Sequence, residues 1–196
     1  MFKRLAVPLL ITMVLGGCIG NDWRTTDISD VMPPLNFKLT DEHGNAVTQD
    51  DYAGNTTLLF FGYTHCPDVC PTTLARLTSV IKQLDTELRS NVQVLFVSVD
   101  PARDTPAILT TYTDAFGPEV IGLTGDKAQL DDITNRFRIT YSYDEPDESG
   151  NYNVTHSGAV LAFGSQGKPA FMVIQSDPSS DVKADLTRLI KAGLDS

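Results

Sequence analysis

Cys66 and Cys70 stand three residues apart in the stretch "CPDVC" (66–70), and each is followed by a proline, Pro67 and Pro71. Two thiolates at this spacing can close a disulfide, cycle between dithiol and disulfide, or give a metal ion two soft ligands. Inert buried thiols would not call for paired prolines at the corner between a strand and a helix. Soft ligands suit Cu(I), and one imidazole added to them makes a three-coordinate set. Zinc would want four closed protein ligands in a structural site, or three plus water in a catalytic one.

The chain has three histidines. His43 lies in a turn and reads as solvated. His65 adjoins Cys66, and neighbours on an extended chain point opposite ways, so its ring is expected to face elsewhere. His156, in "NVTHSGAVLAF" (153–163), follows a long polar loop and precedes an apolar strand. Loops so placed often carry function, although a capping histidine would occupy the same position. Asp100, at a strand end in "SVDP" (98–101), is a candidate for a supporting role beside the site or for a turn residue before Pro101. If Pro71 opens a helix, Cys70 falls at its N-cap, where the helix end stabilises a thiolate.

The remaining cysteine, Cys18, belongs to a different pattern. Lys3 and Arg4 precede an apolar run (5–15) that is too short to remain as a membrane span, and "LGGC" (15–18) follows. This is an export signature resembling a bacterial lipobox, in which Cys18 is acylated and becomes the new N-terminus. The expected organisation is a lipoprotein signal peptide at 1–17, a lipid-anchored polar tether at 18–34 and one domain at 35–196. The expected location is extracytoplasmic, on the periplasmic side, anchored to a bacterial membrane. Loss of Lys3 and Arg4 with the leader takes 15 basic residues to 13 against 25 acidic ones, a net of −12. Such a chain lacks the basic face that nucleic acid requires. With Cys18 acylated, only Cys66 and Cys70 remain. In an oxidising compartment a loop this short is a poor structural staple, so the pair points to redox or metal chemistry.

The elements that must position these residues follow from periodicity. Residues 35–39 alternate as a strand would, a turn cluster with Gly at its tip follows at 40–45, "AVTQDDYAGN" leads on, and this start reads as a β-hairpin. Residues 56–63 are an apolar run that reads as a strand buried on both faces, and 91–100 read as a second strong strand. From Pro71, Leu74, Leu77, Ile81, Leu84 and Leu88 recur at steps of three and four, one face of a helix. A helix over 104–117 with an N-cap candidate at its start, a strand at 119–125 and a helix over 126–139 follow. Residues 141–153 read as an acidic polar loop, 158–163 and 170–176 as a strand pair, and 181–194 as a closing amphipathic helix. The order predicts an α/β fold with a mixed, partly parallel sheet flanked by helices, and sites beyond the carboxyl ends of its strands.

"GYTHCPDVCPTTL" (62–74), "VSVDPARDTP" (97–106), "FGPEVIGLTG" (116–125) and "THSGAVLAF" (155–163) together resemble the Sco/SenC family, from about Leu35 to the last helix. The resemblance implies a thioredoxin-like fold with an added N-terminal hairpin, and copper, as Cu(I) and Cu(II), bound by Cys66, Cys70 and His156. It implies a membrane-tethered chaperone that assists assembly of the copper A centre of cytochrome c oxidase, with that copper A subunit or another copper-accepting protein as partner. The family usually carries an acidic residue before the histidine; here Thr155 stands there, which removes a carboxylate that could orient the imidazole. A thiol–disulfide oxidoreductase acting on a metal-accepting partner is the alternative. A peroxidase would want an activating arginine, and none lies within the motif, Arg76 being the nearest downstream.

Overall fold

The computed structural model describes residues 23–195. The expected signal peptide and Cys18 lie outside the described residues. Strands β1 (Thr26–Asp27), β2 (Lys38–Asp41), β3 (Ala46–Thr48) and β4 (Thr56–Gly62) come first. Helices α1 (Val69–Lys82) and α2 (Thr86–Arg89), then β5 (Val92–Ser98), α3 (Pro106–Asp114), β6 (Val120–Thr124) and α4 (Lys127–Arg136) follow. The chain closes with β7 (Tyr141–Tyr143), β8 (Val154–His156), β9 (Val160–Phe163), β10 (Pro169–Val173) and α5 (Ser179–Leu194).

Eight strands form one mixed sheet in the order β1-β10-β9-β4-β5-β6-β2-β3. β4, β5 and β6 run parallel at its centre, with Thr56 opposite Val92 and Gly62 opposite Ser98. Every residue of β4 and β5 is buried, as their unbroken apolar runs require of strands covered by helices on both faces. The 38–48 hairpin is present and lies antiparallel to β6. The architecture is the expected α/β, thioredoxin-like one.

Three local readings are corrected. α1 ends at Lys82, and Leu84 and Leu88 reach the core from a turn and from α2, so the apolar period outlasts the helix that began it. α4 ends at Arg136 instead of running to residue 139, because Arg138 takes a left-handed turn with φ 55°. The stretch 141–153 is not all loop: β7 and the following β8 pair as a separate two-stranded ribbon, with Tyr141 opposite His156.

The described part of the expected tether is also built into the fold. β1 pairs with β10, and the Trp23 ring packs 5.1 Å from Phe171. The Arg24 and Thr25 amides and the Thr25 hydroxyl donate to the buried Asp185 carboxylate of α5, at 2.8 to 3.0 Å. Ile28 is buried. Among the described residues no helix is long and apolar enough to cross a membrane.

Candidate metal centre

The site begins where β4 ends. Gly62 is the last residue of that strand, and no side chain fits there. A Cβ would lie 2.7 Å from Cys70 Sγ and 2.7 Å from Phe96 Cε2. The chain then turns, with the Cys66 amide donating to the Tyr63 carbonyl at 3.2 Å. Thr64 is tied down in this turn by Asp104. Its amide and hydroxyl donate to the two carboxylate oxygens at 2.9 and 2.6 Å, and the Ser98 hydroxyl from the end of β5 donates to the same group. Asp104 is wholly buried.

Asp68 occupies the N-cap position of α1, so the helix starts ahead of Pro71 and Cys70 is its second residue, not its N-cap. Cys66 lies ahead of this helix, in the bend that leads into it, and its sulfur folds back over the helix start. The Cys70 amide donates to Cys66 Sγ at 3.4 Å. Both cysteines are free thiols; Cys66 is half-buried and Cys70 is completely buried. Burial pushes the Cys70 thiol far above its ordinary pKa, and the nearby Cys66 pushes the same way. The helix end therefore does not make Cys70 a ready thiolate.

His156 arrives from the other side, at the end of β8. Its Nδ1 lies 3.0 Å from the Ser157 carbonyl, an acceptor, so Nδ1 carries the proton. Nε2 then presents its lone pair, 3.3 Å from Cys70 Sγ. The Tyr63 ring meets the imidazole edge-on at 5.8 Å. The three ligand atoms of Cys66, Cys70 and His156 lie within 4.8 Å of one another. Two sulfurs and one nitrogen at this spacing suit a soft, three-coordinate ion and leave a coordination position open.

The ribbon that carries His156 is held by tyrosines. Tyr143 donates to the Val99 carbonyl at 2.6 Å, Tyr152 to Asp100 at 2.8 Å, and Tyr141 to Asp131 at 3.2 Å. Arg103 completes the clamp: Nε donates to Asp100, Nη1 to the Tyr152 carbonyl at 2.9 Å, and its guanidinium stacks 3.6 Å from the Tyr152 ring. Asp100 thus touches the ribbon through Tyr152 and Arg103, neither of which is a member of the Cys-Cys-His group. The carboxylate that holds the cysteine turn is Asp104, which lies inside "RDTP" but reads from sequence only as a helix-start residue. The cap of α3 is Thr105, whose side chain accepts from the Ile108 amide.

The other candidates are placed as follows. His65 is half exposed, bonded to the Thr64 hydroxyl at 3.2 Å and turned from the group, as its place beside Cys66 predicts. His43 sits exposed in the hairpin turn. Arg76 directs its donors to the Ile174, Gln175 and Asp177 carbonyls, not to the sulfurs.

A thioredoxin-like sheet with a Cys-Cys-His group beyond its central strand defines the class. Residues 29–191 match the family model described as SCO1/SenC, and the chain belongs to that family. Protein SCO2 homolog, mitochondrial, of Bos taurus is 35% identical over 179 residues, 83% of this chain and 67% of the relative. The solved structure of Bradyrhizobium japonicum ScoI with copper bound is similar with TM-score 0.71 at 35% identity, covering 80% of this chain and 98% of that one. A SCO1/SenC family lipoprotein from Bacillus anthracis str. Ames has TM-score 0.67 at 26% identity, covering 85% and 98%.

Proposed function

We infer that this protein is a membrane-tethered copper carrier that assists assembly of the copper A centre of cytochrome c oxidase or loads another copper-accepting protein. The observation that carries the reading is the approach of His156 Nε2 to Cys70 Sγ, with the other ring nitrogen tied off on Ser157. Cys66, Cys70 and His156 would hold one ion, as Cu(I) or Cu(II), and the open position admits a ligand of the acceptor, so the ion leaves by stepwise ligand exchange. The thiols must be reduced to bind, which couples transfer to the redox state of the pair. Copper in the similar Bradyrhizobium structure supports this reading. Acylation of Cys18, anchoring on the extracytoplasmic side of a bacterial membrane and export by the leader complete it; the similar Bacillus lipoprotein supports them.

Thiol–disulfide exchange with the acceptor is the second reading. The half-exposed, free Cys66 favours it as the attacking sulfur. The two separate in one experiment. The reduced, Cu(I)-loaded protein is mixed with a copper-free copper A domain whose cysteines are either reduced or disulfide-bonded. Carriage predicts copper on the reduced acceptor and loss of copper from the donor. Disulfide exchange predicts reduction of the oxidised acceptor with the Cys66–Cys70 disulfide appearing in step, whether or not His156 is present.

A further inference from the structure

The end of the sheet opposite the cysteines carries an unassigned groove of about 420 Å³. Trp23, Pro169, Leu189 and Ala192 supply apolar lining, and Lys168 and Arg188 bring cations to it. Among the described residues no carboxylate lines it, in a chain with 25 acidic against 15 basic residues. Arg188 lies over the Trp23 ring at 5.1 Å, and Lys168 is exposed. Two of the large apolar side chains left exposed border this groove in sequence: Val31, two residues beyond the lining Ser29, and Leu194, next to the lining Gly193.

We propose that this groove is the membrane-facing surface of the domain, with Trp23 at the lipid interface and the exposed Lys168 and Lys191 over anionic headgroups. The inference rests on the acylation of Cys18 proposed above. Five peptide steps separate Cys18 from Trp23, a reach of at most about 18 Å. An anchor so short holds the Trp23 end of the domain against the bilayer. Amphipathic aromatic rings settle at that interface, and lysines and arginines beside it are drawn to anionic lipid. The acidic remainder of the chain is repelled by such a surface, so the face whose described lining carries cations and apolar side chains is the one that can approach.

The consequence is an orientation. Gly54, just before β4, bonds to Ser165 of the groove lining at 2.9 Å, whereas Gly62 at the other end of β4 abuts Cys70. Seven strand residues rise about 23 Å. The metal site therefore points away from the bilayer, toward an acceptor that projects from it.

The chain has a single tryptophan, so its emission reports on this face alone. The full lipidated protein is reconstituted into phosphatidylcholine/phosphatidylglycerol vesicles with and without brominated acyl chains. Roughly twofold quenching by the brominated lipid is expected for a ring at the interface, and Lys168→Glu with Lys191→Glu should reduce it without altering copper loading. A protein that floats with the vesicles yet shows no quenching overturns the proposal and leaves the anchor standing. A protein that does not float, with unmodified Cys18 by mass, overturns both. Emission that changes with protein concentration in the absence of vesicles assigns the groove to a second copy, and also overturns it.

Discussion

Asp104 holds Thr64 by two hydrogen bonds at once, one from the backbone amide and one from the hydroxyl, two residues ahead of Cys66. A carboxylate buried at the start of α3 thereby sets the shape of the cysteine turn at the end of β4. Ser98 adds a third donor from β5, so three neighbouring segments converge on one side chain.

Asp104→Asn keeps the size and removes the charge-assisted acceptors. It should destabilise the protein by about 2–3 kcal/mol, read from urea unfolding. It should also weaken Cu(I) binding roughly ten- to hundredfold in a chelator competition, because the turn no longer holds Cys66 in place. Wild-type affinity in a folded variant would show that the turn shapes itself without Asp104.

Gly62→Ala tests the floor of the site. The new methyl meets Cys70 Sγ and the Phe96 ring at distances that neither can keep. An overpacking cost of about 1–3 kcal/mol is expected in thermal unfolding, together with weaker copper binding as Cys70 is displaced. Gly44→Ala, in open space on the hairpin but at φ +84°, should cost stability alone and leave copper binding unchanged.

The buried Cys70 thiol makes stability depend on pH. Its pKa in the folded protein is raised above the ordinary value of 9.0 that the unfolded chain has. The folded state therefore keeps its proton while the unfolded state loses it. The metal-free protein should hold full stability below pH 9 and lose it progressively above, and Cys70→Ser should flatten that slope. Copper must displace the same proton, so loading should strengthen with rising pH by about tenfold per unit for each proton released. Chemical denaturation and chelator competition across pH 6–10 measure the two effects.

Tyr152→Phe removes the hydroxyl that ties the ribbon to Asp100 at 2.8 Å. The stability cost should be about 1–2 kcal/mol. The finer readout is Cu(II): a loosened His156 should broaden and weaken the visible thiolate-to-copper absorption, while the reactivity of Cys66 toward a thiol reagent stays as in the wild type.

The cysteine pair and the change from an unbroken apolar run to a 3.6-residue period around residue 70 are enough to set both sulfurs at a strand-to-helix corner. The buried runs 56–63 and 91–100 likewise announce the central parallel pair. The ribbon is not legible in this way. β7 and β8 have three residues each, too few for an alternation, and tertiary bonds from tyrosines hold them. β1 is two residues long and exists because Asp185 and Phe171 receive it. Asp104 is plain in the sequence, but its partner Thr64 is forty residues away, and only the fold joins them. His156 is legible as a lone histidine after a polar loop; its tautomer is not, since the Ser157 carbonyl decides it.

Copper stoichiometry and visible absorption, on the reduced protein loaded anaerobically beside its His156→Ala variant, bear most directly on the three-residue site. One copper per chain is expected, with a thiolate-to-Cu(II) charge-transfer band that the variant loses along with most of its affinity. A variant that keeps the full affinity and the band would contradict His156 as a ligand and leave the two cysteines to act as a redox pair.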